Sequence, residues 1–143
     1  AHNTLGTVVH DSLEFLYKPY INKILLEQDI KSMLEQVDVM VKSKFKESFK
    51  DGDITTGKNR LISEVARQFV LNFLNLELKE IQAGKEIVVK ELEKECQTVL
   101  ITAQGHQVKI KGKIDRVDEV DGVLRIVDYK TGKVEAKDLK CMC

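Results

Sequence analysis

Two aspartates and a lysine in the last third of this chain have the types and spacing that phosphoryl chemistry uses. Asp115 lies in Lys113-Ile114-Asp115-Arg116-Val117-Asp118, and Asp128 in Ile126-Val127-Asp128-Tyr129-Lys130. Between them, Asp121-Gly122 suits a tight type I′ turn, so the stretch reads as a β-hairpin. That turn sets the register, with Val120 opposite Val123, Val117 opposite Ile126, Asp118 opposite Arg125 and Asp115 opposite Asp128. Strand side chains alternate, so Lys130 shares a face with Asp128. Like charges set directly opposite each other repel, and a divalent cation between them relieves that. Mg²⁺ and Mn²⁺ take oxygen ligands; Asp115 and Asp128 offer carboxylates, and the backbone carbonyl of Tyr129 a further oxygen. A cation held there lowers the pKa of bound water and neutralises charge on a phosphoryl group. Lys130 is then placed to orient or deprotonate the attacking water, or to stabilise the developing negative charge. The set suits hydrolysis of a phosphodiester. A solvated hairpin face carries the same residue types, and Asp118 with Arg125 is read as a cross-strand ion pair of that ordinary kind. Two details favour the cation: Asp128 ends the apolar run Leu124, Ile126, Val127, and Gly112 leaves room beside the pair.

The elements that must position these residues change character near Gly84. Before it the apolar spacing is helical. Val8, Val9, Leu13, Leu16 and Tyr17 mark one helix, which Pro19 interrupts. Ile21 to Phe49 forms a second, with Ile24, Leu25, Ile30, Leu34, Val37, Val41, Phe45 and Phe49 on its apolar positions. Asp51-Gly52-Asp53 reads as a loop, and Thr55 to Ile81 as a third helix with a broad apolar face. After Gly84 the period drops to two. Strands are expected over Glu86–Leu92, Thr98–Ala103, Gln107–Val117 and Val123–Tyr129, with a turn at Gln104-Gly105-His106 and an end at Thr131-Gly132-Lys133. Short connections imply an antiparallel meander. The fold class is α+β, in which N-terminal helices (1–83) pack on an antiparallel or mixed meander (84–133), followed by a tail (134–143).

Composition narrows the classes. The chain has 143 residues, 23 basic and 23 acidic side chains and a formal net charge of zero, so no global field recruits a polyanion. Any anionic substrate must be met locally. Lys42, Lys44, Lys46 and Lys50 form one candidate patch. Lys109, Lys111 and Lys113 form a better one, because they alternate along a strand face leading towards Asp115. Aromatics are few, so base stacking is not indicated. No apolar run approaches the ~20 residues that span a bilayer, and the start lacks a secretion signal; the chain reads as cytoplasmic. Cys96, Cys141 and Cys143 do not form a disulfide framework or a four-ligand metal site and read as reduced thiols. The C-terminal residues carry no stop signal, so the sequence reads as an excised piece of a longer protein.

Gly112-Lys113-Ile114-Asp115-Arg116-Val117-Asp118 followed by Ile126-Val127-Asp128-Tyr129-Lys130-Thr131-Gly132 resembles the signature of the PD-(D/E)XK nuclease superfamily. The nearest resemblance within it is to the RecB/AddB-type nuclease domains of recombination helicases. Gly6-Thr7-Val8-Val9-His10-Asp11-Ser12-Leu13-Glu14 is similar to the Gly-x-x-x-His-x-x-Leu-Glu helix of that group. The resemblance implies a partial restriction-endonuclease-like core, here one truncated nuclease domain that lacks the helix and strand following the Asp-x-Lys strand. It implies an Mg²⁺- or Mn²⁺-dependent deoxyribonuclease, exo- or endonucleolytic, that acts on DNA beside a helicase portion or partner subunit in recombination and repair. Asp115 and Asp128 become metal ligands, Lys130 the catalytic lysine and His10 a further ligand. Glu14 is read either as orienting His10 or as a capping or surface residue, and Glu91 or Glu93 matches an acidic position of the family. A non-catalytic DNA-binding or structural module of the same fold is the competing reading. A helical interaction module working through Ile21 to Ile81 is a third.

Overall fold

The computed structural model describes residues 4–48 and 57–131, and the backbone of Cys141–Met142. Three helices, α1 (Thr4–Tyr17), α2 (Glu27–Ser48) and α3 (Gly57–Gln82), pack on an antiparallel sheet of β1 (Ile87–Ile101), β2 (Gln107–Val120) and β3 (Val123–Asp128). A two-residue strand, β4 (Cys141–Met142), pairs with the end of β3, and the sheet order follows the chain order. Every strand pair is antiparallel. The expected loop at Asp51-Gly52-Asp53, and Gly132 and Lys133, lie outside the described residues.

Each helix buries the stripe its spacing dictates. Val8, Val9, Leu13, Leu16 and Tyr17 of α1, Ile30, Met33, Val37, Val41 and Phe45 of α2, and Ala66, Phe69, Val70, Phe73 and Leu74 of α3 meet Ile87, Val89, Val127 and Tyr129 from the sheet. The core therefore sits between the helices and one sheet face. Glycine closes α3: Gly84 adopts a φ of 96°, with Gly84 N–H donating to the Ile81 carbonyl at 3.0 Å and Lys85 N–H to Glu80 at 3.1 Å. This Schellman arrangement satisfies two carbonyls that a helix end leaves open.

Three sequence expectations need correction. The second helix does not begin at Ile21. A 3₁₀ turn (Lys18–Tyr20) follows Pro19, Asn22 takes a left-handed φ of 64°, and the next residues pair with the outer edge of β1. Asn22 N–H donates to Val89 at 2.8 Å and Leu25 N–H to Ile87 at 2.9 Å. Helix α2 starts only where Asp29 accepts the Leu26 N–H at 3.0 Å, a side-chain cap. Second, the separate strands expected over Glu86–Leu92 and Thr98–Ala103 are one strand, because the interval from Lys94 to Gln97 stays paired to β2. Its price is a bulge, marked by a register shift between Val89 and Glu91. Third, Leu124 and Ile126 are 64% and 39% exposed and do not form a buried run with Val127. They point to the sheet face that the helices do not cover, as strand alternation requires.

The hairpin register is as expected: Val120 faces Val123, Val117 faces Ile126 and Asp118 faces Arg125. Asp121 and Gly122 have φ of 52° and 82°, the pair of positive values a type I′ turn needs. Among the described residues, no helix is long and apolar enough to cross a membrane.

Candidate metal centre

The hairpin register ends its paired ladder at Arg116 and Val127, one step before Asp115. There the strands part and side chains take over. Asp115 is 7% exposed, and its Oδ2 accepts the backbone N–H of Tyr129 at 2.8 Å. On the other side, Leu92 pairs with Arg116 and Lys94 with Ile114, so Glu93 stands opposite Asp115. Glu93 has a φ of 51°, a left-handed backbone unusual for a residue with a side chain. Its carboxylate is nearly buried, at 6% exposure.

Helix α1 supplies the third group. Val9 and Leu13 anchor the helix in the core, and His10, beside them, turns towards the strands. Its Nδ1 lies 3.2 Å from Asp115 Oδ1 and 3.3 Å from Glu93 Oε2. One donor atom from each of His10, Glu93 and Asp115 falls within a 4.8 Å cluster. Tyr129 braces the arrangement twice, through its N–H to Asp115 and through its ring, which meets His10 edge-on at 5.3 Å and Phe73 at 5.3 Å. The cluster opens on a cleft of about 600 Å³ whose lining includes Gly6, His10, Glu93, Asp115 and Lys130.

Two lysines flank it. Lys113 Nζ lies 3.1 Å from the second Glu93 oxygen, Oε1. Lys130 donates to Asp128 Oδ2 at 3.0 Å, and the Asp128 carboxyl lies beside that of Asp115. The hairpin thus brings Asp115, Asp128 and Lys130 together. Tyr129 reaches the cluster through its backbone N–H, and Lys109 and Lys111 stand exposed further along β2.

The electrostatics follow from these contacts. Burial alone would lower the His10 pKa, but hydrogen bonds to Asp115 and Glu93 and their negative charge lift it from 6.5 to about 9. Burial acts to raise the Asp115 carboxyl; bonds from His10, the Tyr129 N–H and Asp128 outweigh it and hold the pKa below the usual range. Glu93 behaves alike, with burial opposed by His10 and Lys113. Two anionic carboxylates therefore converge on one imidazolium, which occupies the position of a cation. Two carboxylate oxygens and an imidazole nitrogen, with room for water and a phosphate oxygen in the cleft, are a donor set that fits a divalent cation.

Of the two acidic candidates on the first strand, Glu93 belongs to the cluster, while Glu91 pairs with Lys94 at 3.4 Å on the surface. Glu93 was half-legible: the family resemblance offered Glu91 or Glu93 as an acidic position, and the register of β1 against β2 chooses Glu93. Among the described residues no hydrogen bond joins Glu14 to His10, whose Nδ1 faces Glu93 and Asp115. Glu14 lies instead beside Phe15, Lys18 and Lys44.

Behind the cluster is a buried ionic network that the sequence reading did not anticipate. Arg116 is fully buried, with Nη2 2.6 Å from Glu77 Oε1 and Nε 2.8 Å from Asp118 Oδ2. Tyr17 OH donates to Glu77 at 3.0 Å. The Asp118–Arg125 pair is present, but it is an inner one: two bonds of 2.9 Å reach a carboxylate with no exposure. Arg116 also lies over the rings of Tyr17 and Phe73, at 4.8 and 5.6 Å. Buried charges require such pairing, and the sequence signal was an acid, Glu77, one turn beyond Phe73 on the apolar stripe of α3. Asp115 is thus carried on a strand whose next residue is fixed in the core.

The family model for the PD-(D/E)XK nuclease superfamily matches residues 1–141. No curated protein and no solved structure matches the chain.

Proposed function

The chain belongs to the PD-(D/E)XK nuclease superfamily, and from that premise we propose that it hydrolyses DNA phosphodiester bonds at the His10–Glu93–Asp115 cluster with Mg²⁺ or Mn²⁺. The observation that carries this reading is the convergence of those three side chains, from α1, β1 and β2, within 4.8 Å. A bound divalent cation supplies a polarised phosphoryl oxygen and a water of lowered pKa. Asp115 presents one carboxylate oxygen to it while Tyr129 N–H holds the other. Glu93 presents Oε2 while Lys113 neutralises Oε1. His10 would contribute Nδ1 only after losing the proton that the two carboxylates stabilise, so metal binding there would release a proton. Asp128 adds a carboxylate beside Asp115, and the Tyr129 carbonyl is a further oxygen on the same strand end. Lys130, steadied by Asp128, sets an ammonium at the cleft where it orients the attacking water or meets charge developing on the phosphate.

The finer reading is an exodeoxyribonuclease of the RecB/AddB type, working with a helicase in recombination and repair. It rests on the Gly6-x-x-x-His10-x-x-Leu13-Glu14 pattern, of which the structure brings His10 to Asp115.

Calorimetric Mn²⁺ titration tests the centre. Wild type binds one site, and Asp115→Ala and Glu93→Ala abolish it; equal binding by the variants, or none by wild type, overturns the reading. Degradation of linear DNA in Mg²⁺ tests the lysine. Lys130→Ala lowers the rate by about 10²-fold or more, and an unchanged rate removes Lys130 from the chemistry.

A further inference from the structure

Beyond Glu93 the β1–β2 pair leaves the helices behind. From Lys94 to Lys113 every residue except Thr102 is exposed, so the two strands stand out as an arm. A turn closes its tip, with Gly105 N–H donating to Thr102 O at 2.9 Å and His106 N–H to Thr102 Oγ1 at 3.1 Å. At strand rise, the arm reaches about 27 Å from Asp115 to Gln107.

Its two faces differ in charge. Lys109, Lys111 and Lys113 alternate with Asp115 on one face, and their partners there are Val99, Gln97 and Glu95. The other face carries Cys96, Thr98, Leu100, Val108 and Ile110, and its one charge is Lys94 at the base of the arm, paired with Glu91 at 3.4 Å. Lys113 is engaged by Glu93 at the edge of the cluster. Among the described residues, Lys109 and Lys111 have no ion-pair partner. Two free ammonium groups therefore stand in line with the metal centre, about 7 Å apart, a step comparable to that between successive phosphates of an extended strand.

We propose that the arm is a backbone rail: one DNA strand lies along its lysine face, its phosphates met by Lys109 and Lys111, and enters the cleft at Lys113. This rests on the metal-centre reading for its direction. The contacts are to phosphate and so carry no sequence information. The substrate class that follows is a strand extending at least two or three phosphates beyond the scissile bond on the arm side, not a dinucleotide.

The test is fluorescence anisotropy of labelled oligothymidylates, from dimer to octamer, in Ca²⁺ buffer over about 50 to 200 mM salt. Wild-type affinity rises with length through the tetramer and hexamer. The Lys109→Gln/Lys111→Gln variant loses about tenfold in octamer affinity at the low-salt end, its log–log salt slope falls by about 1.4, and dimer binding is unchanged. Lys42→Gln/Lys46→Gln, on exposed positions of α2, leaves the slope alone. An arm variant that binds the octamer with the wild-type slope overturns the rail, as does an equal loss in the α2 variant. Mn²⁺ calorimetry on wild type and the arm variant separates the two claims: the two bind Mn²⁺ alike, and a wild type that binds none sinks the metal centre, while the salt slope still decides the arm.

Discussion

Tyr129 holds Asp115 by its main chain and His10 by its ring, yet its buried hydroxyl has no hydrogen-bond partner among the described residues. The ring and the N–H are therefore what matters, and the hydroxyl is dispensable. Tyr129→Phe should match wild type in urea midpoint and Mn²⁺ affinity, whereas Tyr129→Ala should cost about 3–5 kcal/mol and weaken Mn²⁺ binding. A large loss in the Phe variant would show that the hydroxyl is engaged. His10 gives a second residue-scale outcome, in metal-free protein. Its pKa rises from 6.5 to about 9 on folding, so the folded state binds the proton more tightly. The stability it contributes is complete below about pH 6.5 and is lost as pH climbs through 9. Urea midpoints in chelator should fall across that window in wild type and not in His10→Ala. Parallel curves for the two proteins would contradict the assignment.

At the scale of elements, the β2–β3 hairpin couples turn chemistry to the site. Gly122 holds a φ of 82° in the turn that sets Asp115 and Asp128 side by side. Gly122→Ala puts a Cβ into a left-handed conformation and should destabilise by about 1–2 kcal/mol, read by thermal or urea melts. Mn²⁺ affinity should be retained, because the register is also fixed by the buried Arg116–Glu77 and Asp118–Arg125 bonds. Loss of Mn²⁺ binding would mean that the turn alone sets the register. This hairpin was legible in the sequence because its determinants are local: a two-residue turn and alternating apolar residues. The start of α2 was not, since Ile24 and Leu25 satisfy a helical pattern as well as the edge of β1, and only the Asn22 and Leu25 bonds to β1 decide between them.

For the whole molecule, the same division holds. Helical stripes, the antiparallel meander and the Asp115–Asp128–Lys130 group follow from periodicity and spacing. Glu93 does not, because a bulge more than twenty residues upstream of Asp115 chooses between it and Glu91, and neither does the inward turn of Glu77 towards Arg116. Those are tertiary facts, settled by which strand passes which helix. His10 lies between the two kinds: its helix was legible from spacing, and its partners only from the fold.

The arm also divides the protein energetically. Its ladder amides are shielded by nothing but each other, while those of Ile87 to Val89 lie under the helices and beneath the Asn22–Leu25 segment. The domain should therefore open in two stages. In native-state hydrogen exchange, Thr98 to Ile101 and Val108 to Ile110 should exchange through cheap local opening, and Val89 and Val127 only through global unfolding. An octanucleotide should slow the first set and Mn²⁺ the amide of Tyr129, giving each half of the working surface its own isotope signature.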